Sequence, residues 1–291
     1  MQKKTIAITL LVIGTLFWGM TFVFVKEAVN NLNVYAFLAY RFIIAAMCLM
    51  MVFYKRLKGI TIEIVYKGVL LSIPLCIGFV TQTIGVKYTS ASNAGFITGL
   101  SVVFVPLLEA FINRQRPHNK SLLAMIMATV GLALITLSQS LNLNVGDLWI
   151  LICAVAFAVY ILMVDRESGR IDAVLLTLVQ LFVVGLFSLF MAIYNGALTV
   201  PVGYLEWRGI LFCALFATTF MYTVQNHYQQ YLSTTTTAII FSLEPLFAAL
   251  TAFIVIDEDI TIKMICGGIL MIAGMIYSEL PVEKKSSLAH K

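Results

Sequence analysis

The residues of this chain able to do chemistry are few, and they sit inside long apolar stretches. Arg41 and Glu244 are a cation and a carboxylate in such a setting. Gln82 and Gln225 are amides, and Trp18, Tyr160 and Tyr222 add aromatic faces, an indole N–H and hydroxyls. Groups of this kind can hold a small polar or charged solute by a few directed contacts within an apolar pocket. They do not make a catalytic set. The three histidines, His118, His227 and His290, are far apart in sequence, so neither metal-ligand spacing nor a Ser-His-Asp arrangement appears. The five cysteines, Cys48, Cys76, Cys153, Cys213 and Cys266, stand singly within apolar runs and read as small core residues. No G-x-x-x-x-G-K-[ST] loop is present to bind a nucleotide. The expectation is a protein that is not an enzyme, with no cofactor and no metal.

The elements that must position these residues follow from composition. Hydrophobic residues make up 61% of the chain and charged residues 11%, against about 25% charged in an average protein. So little polar surface cannot cover a soluble domain, and the chain reads as an integral membrane protein with the lipid bilayer as its partner. The net charge of +5 does not indicate nucleic acid, because the basic residues lie in breaks between apolar runs and form no aromatic-interleaved face. Ten apolar runs of about the length needed to cross ~30 Å of hydrocarbon occur near 5–25, 34–54, 67–87, 91–113, 120–138, 147–164, 173–195, 207–228, 235–256 and 260–278. They are continuously apolar, not alternating, which predicts transmembrane helices over a barrel. The first run follows Lys3 and Lys4 but is long for a signal peptide and lacks a small-residue cleavage site. It therefore reads as an uncleaved helix.

Basic residues are retained on the cytoplasmic side of span ends. With the N-terminus inside, the cytoplasmic segments hold Lys3, Lys4, Lys55, Arg56, Lys58, Lys67, Arg114, Arg116, Lys120, Arg166, Arg170, Lys284, Lys285 and Lys291. The other side holds only Lys26, Lys87, Arg208 and Lys263. This asymmetry predicts a multi-pass protein of the cell (inner) membrane with both termini cytoplasmic.

The stretch from Gln82 to Gly131 recurs. A shift of 143 positions places Gln82 on Gln225, Tyr88 on Tyr231, Ile97 on Ile240, Leu100 on Leu243, Lys120 on Lys263 and Gly131 on Gly274 without a gap. The chain is thus expected to be two five-helix repeats, 1–138 and 139–280, followed by a cytoplasmic tail, 281–291. Five spans is an odd number, so the second repeat must be inverted relative to the first, as in many secondary transporters.

At this point a family resemblance appears. Leu16-Phe17-Trp18-Gly19 with Phe22 and Lys26, Tyr40-Arg41-Phe42, Lys87 to Ala94, and Ser242-Leu243-Glu244-Pro245-Leu246-Phe247 closing with Asp257-Glu258 resemble an EamA-type domain of the drug/metabolite transporter superfamily. The resemblance implies a ten-helix bundle around a central cavity that exports amino acids, drugs or other small metabolites without ATP hydrolysis. The copies differ. Val102 stands where Pro245 falls, Gln115 where Glu258 falls, Ala158 near the place of Trp18, and Gln180 near the place of Arg41.

Within this frame a substrate cavity is expected between the repeats, drawing on Trp18, Arg41, Gln82, Tyr160, Tyr222, Gln225 and Glu244. Arg41 either contacts substrate or packs helices together. Tyr222, Asn226 and Gln229 form a polar stripe on the eighth span, where interhelical hydrogen bonding is the alternative to a substrate role. Glu109, near Arg114 and Arg116, is explained by a local ion pair. Pro74, Pro106 and Pro245 are expected to interrupt their spans. Glu244 lies near mid-span, where a charged carboxylate costs several kcal/mol. It is a candidate for proton coupling, or else a neutral support for the helix or a fixed partner of Arg41. The alternatives to a carrier are an intramembrane enzyme, which needs a polar cluster not visible here, and a channel, which needs symmetric pore rings.

Overall fold

The computed structural model describes residues 2–89, 91–114, 119–136, 144–256 and 261–280. Gln115, Arg116, His118, Asp257, Glu258, His290 and the tail 281–291 lie outside the described residues. The described residues form helices and no strand. In order these are α1 (Gln2–Asn31), α2 (Val34–Val52), α3 (Ile62–Tyr88), α4 (Ala91–Gly99), α5 (Ser101–Asn113), α6 (Asn119–Thr136), α7 (Val145–Glu167), α8 (Ala173–Tyr194), α9 (Tyr204–Phe212), α10 (Met221–Tyr228), α11 (Thr234–Phe241), α12 (Glu244–Ile256) and α13 (Ile262–Glu279). A π-helical turn, Cys213–Phe220, joins α9 to α10. Among the described residues eight helical stretches are long and apolar enough to cross a membrane, and two shorter apolar helices, Asn119–Leu134 and Ile262–Ser278, accompany them. Each of the ten apolar runs falls on one of these.

The polar breaks between the runs are helix starts. Asn33, Thr61, Asn144, Asp172, Ser233 and Thr261 each cap the following helix, accepting a hydrogen bond from a backbone N–H of its first turn. Such caps satisfy donors that have no intrahelical partner. Large side chains such as Ile62, Phe111 and Phe190 stay exposed around the outside. In a bilayer that surface is solvated by lipid, and the polar groups are the ones that turn inward.

Equivalent positions of the two copies pack against each other. The most extensive seam joins α6 to α13. A Cβ at Gly131 would lie 2.6 Å from the Gly267 carbonyl oxygen, and one at Gly274 would lie 3.0 Å from the Ala124 carbonyl oxygen. The 143-residue shift carries Gly131 to Gly274 and Ala124 to Gly267. Each glycine therefore meets the repeat-mate of the residue its own mate meets. That reciprocity is the mark of a twofold contact between antiparallel helices. Ion pairs tie the two equivalent seams, though not at equivalent residues. Lys67 Nζ lies 2.6 Å from Glu167 Oε1 at one end of the α3–α7 seam, and Arg208 pairs with Glu27 at the opposite end of the bundle, where α9 meets α1.

Candidate functional site

A cavity at mid-depth is lined by all seven residues singled out from sequence, Trp18, Arg41, Gln82, Tyr160, Tyr222, Gln225 and Glu244. Thr21, Phe79, Thr98, Ser101, Phe157, Ile161 and Phe241 complete it. Sequence reasoning does not single out these additional residues, because they are individually ordinary. The repeat shift would have found several: Phe79 maps onto Tyr222, Thr98 onto Phe241 and Ser101 onto Glu244.

The aromatic wall is fixed by backbone irregularity. The Ala217 carbonyl, within the π-helical turn, accepts a 2.8 Å bond from the Trp18 indole N–H. π-turns of this kind recur at functional sites. The Trp18 ring packs edge-on against Phe241, 4.9 Å between centroids, and against Tyr222 at 5.7 Å. Tyr222 in turn touches Phe79 and Tyr160.

Arg41, on α2, donates its Nε–H to Thr218 Oγ1 at 2.8 Å and sets its guanidinium 4.5 Å over the Phe79 ring. The residue is 3% exposed. Glu244, across the cavity on α12, is 6% exposed. Among the described residues neither forms an ion pair within 4 Å. The cavity thus presents a cation and a carboxylate that are not consumed by each other.

Glu244 lies within the ninth span, but at a helix start instead of inside a continuous helix. The ninth span breaks at Ser242–Leu243, where the Leu243 N–H bonds the Ile240 carbonyl at 3.1 Å, and Glu244 opens α12. A helix N-terminus favours a negative charge. Pro245 directly follows this break, in the first turn of α12, where its missing N–H is not needed. Pro74 and Pro106 lie inside helices that continue through them. The fourth span breaks at the equivalent place, Leu100, between α4 and α5. Gly19 makes room for the second break, since a Cβ there would lie 2.7 Å from the Glu244 carbonyl oxygen.

The two glutamines are held loosely. Gln82 Nε2 reaches Thr98 Oγ1 at 3.5 Å. Gln225 Nε2 donates to Gln229 Oε1 at 3.1 Å, while its own Oε1, fully buried, has no partner among the described residues. Asn226 and Gln229 turn away from the cavity. Asn226 Nδ2 donates to Thr177 Oγ1 at 2.9 Å, Gln229 Nε2 to the Ile161 carbonyl at 2.7 Å, and Tyr160 OH to Gln180 Oε1 at 2.7 Å. This buried network ties α7, α8 and α10 together, so the interhelical reading holds for Asn226 and Gln229. Glu109 is also not explained by Arg114. It accepts a 2.6 Å bond from Thr234 Oγ1 on α11 and has no ion pair within 4 Å among the described residues.

Space in the cavity is limited. The volume between the lining side chains is ≈ 550 Å³ with its mouth, of which ≈ 40 Å³ is wide enough to admit water. The smaller figure is well below the range of about 300–1,000 Å³ that ligand sites span. No group of three or more His, Cys, Asp or Glu able to hold a metal occurs among the described residues.

An all-helical, multi-pass membrane protein with a polar, charge-bearing cavity at mid-depth is the class that this fold and site define. The sequence matches the EamA-like transporter family over residues 5–137 and again over 144–279, and the chain belongs to that family. An uncharacterized transporter of Archaeoglobus fulgidus is 31% identical over 272 residues, covering 94% of this chain and 85% of the relative. The uncharacterized transporter YyaM of Bacillus subtilis is 26% identical, covering 94% and 93%. A solved crystal structure superposes with a TM-score of 0.77 at 14% identity, covering 94% of this chain and 96% of that one, a likeness of fold. The protein is a membrane transporter.

Proposed function

We propose that the chain is a secondary carrier that exports small metabolites such as amino acids or drugs across the cell (inner) membrane by alternating access. Its repeats, 1–138 and 139–280, enclose the cavity in inverted orientation, with both termini and the tail 281–291 in the cytoplasm. The carrying observation is the cavity's composition. Phe79 and Tyr222, Gln82 and Gln225, Thr98 and Phe241, and Ser101 and Glu244 are repeat-equivalent pairs, and all eight residues face one space. A site built from matched positions of inverted repeats can be exposed to either side by the same relative motion. The reciprocal α6–α13 contact supports that inversion.

Trp18, Arg41, Gln82, Tyr160, Tyr222, Gln225 and Glu244 are assigned to the solute. Arg41 takes an anionic group, the amides take polar groups, and the aromatic wall takes the apolar part. Glu244 exchanges a proton as the cavity alternates, so that a proton gradient drives solute accumulation. The test is flux into proteoliposomes, screened across amino acids, nucleobases and cationic drugs. Saturable uptake stimulated by solute preloaded on the far side supports a carrier; ohmic, non-saturating flux contradicts it.

A further inference from the structure

Between α2 and α3 the chain forms a short 3-10 helix, Tyr54–Gly59, with the sequence YKRLKG. It follows α2 where Met51 and Val52 are exposed to the surroundings, and it precedes Ile62, 89% exposed. Apolar side chains open on both flanks place the segment at the membrane–water boundary. It is not loose. Leu57 packs on the core, Gly59 abuts Leu175, and Arg56 Nη1 lies 3.2 Å from Asp172 Oδ2 at the start of α8.

A 3-10 helix has three residues per turn and rises about 2 Å per residue. Lys55 and Lys58 therefore stack on one face, about 6 Å apart along the axis. Both are exposed, and among the described residues neither is in an ion pair within 4 Å. The neighbouring acids are mostly engaged: Asp172 by Arg56 and Glu167 by Lys67, with Glu63 exposed in the first turn of α3. Arg166 and Arg170, exposed at the end of α7 and in the loop after it, add to the positive field at the same end of the bundle.

The repeat supplies the contrast. The equivalent connection between α8 and α9, residues 195–203, reads NGALTVPVG and carries no charge, though Val200 and Val202 are exposed there as well. The connection does not need lysines to be built. We infer that Tyr54–Gly59 is a binding site for the phosphate headgroup of an anionic phospholipid, with Lys55 and Lys58 as its two cationic contacts and the flanking apolar residues among the acyl chains. Basic residues beside a span attract anionic lipid by about fivefold in affinity per charge.

Native mass spectrometry of the purified full-length protein, with phosphatidylglycerol and phosphatidylcholine supplied in equal amounts, tests the site. The expected result is preferential retention of phosphatidylglycerol, reduced about fivefold by each of Lys55→Gln and Lys58→Gln. Lys55→Arg with Lys58→Arg should restore the preference, which separates lost charge from lost fold. Lys87→Gln, at the other end of α3, should leave it intact. Equal retention of the two lipids by the wild type, an unchanged preference in the double Gln variant, or an equal loss in Lys87→Gln overturns the assignment. Displacement of the lipid by inorganic phosphate at the same concentration also overturns it, since the site would then bind a free anion.

Discussion

The stretch from Gln82 to Gly131 and its repeat, Gln225 to Gly274, share a framework and differ in chemistry. Both place a glutamine on the cavity wall, both break a span at the same position, and both end in a helix that packs on its counterpart through a glycine. At the break the first copy offers Thr98 and Ser101, and the second offers Phe241 and Glu244. The other half of each repeat shows the same division. Arg41 faces the cavity, whereas Gln180, near the equivalent place, is absorbed into a buried hydrogen-bond network with Tyr160 and Asn226. On the proposed reading, the shared breaks and glycines let the bundle open, and the charged groups held by one copy, Arg41 and Glu244, distinguish the solute.

The largest expected effect separates Arg41 from Gln180. Arg41→Ala removes the one cation among the described residues that line the cavity and leaves Glu244 without an opposite charge there. A lost charge-assisted hydrogen bond to the solute is worth about 1.5–3 kcal/mol, so flux should fall by roughly 10- to 150-fold in a normally inserted protein, with Arg41→Lys retaining part of it. Gln180→Ala should instead lower thermal stability while flux stays within about tenfold, because it strands partners of a buried network. Equal flux losses in the two alanine variants would erase the proposed division of labour.

The shared framework predicts matched damage. Gly131→Ala and Gly274→Ala each drive a Cβ against the backbone of the opposing helix, and overpacking of this kind costs about 1–3 kcal/mol. Both should lower the unfolding temperature in detergent. Gly131 should be the more sensitive, since its Cβ would approach to 2.6 Å against 3.0 Å. A loss in one variant with none in the other would break the twofold description of α6 and α13.

The smallest effect concerns the glutamines. If Gln82 and Gln225 each lend one neutral hydrogen bond to the solute, alanine should raise the half-saturation concentration about threefold to tenfold with maximal flux unchanged. Unchanged half-saturation in both would assign them to helix packing.

Much of this was legible in sequence, for physical reasons that also mark its limits. The apolar runs and their polar breaks became helices and caps, because backbone in hydrocarbon must bond to itself and Asn33, Thr61, Asp172 and Ser233 supply the first-turn acceptors. Of the span breaks, Pro245 marked the one at Ser242–Leu243, whereas the one at Leu100 was not legible: Pro74 and Pro106 lie inside continuous helices. The π-helical turn was equally hidden, since the sequence of Cys213–Phe220 reads as an ordinary apolar helix. Asn226 and Gln229 show the limit of helical periodicity. It groups Tyr222, Asn226 and Gln229 on one stripe, yet Tyr222 faces the cavity while the other two bond across to α8 and α7.

Glu244, where the first copy has Ser101, is proposed to couple solute movement to protons. Glu244→Gln keeps the size and most of the hydrogen bonding of the side chain and removes its titration. The decisive measurement compares two fluxes of this variant in proteoliposomes: solute-for-solute exchange at equal pH, and accumulation against a gradient when only a pH difference is applied. The account predicts that exchange continues at a rate near that of the wild type and that pH-driven accumulation disappears. Full pH-driven accumulation by a correctly inserted Glu244→Gln protein would contradict it.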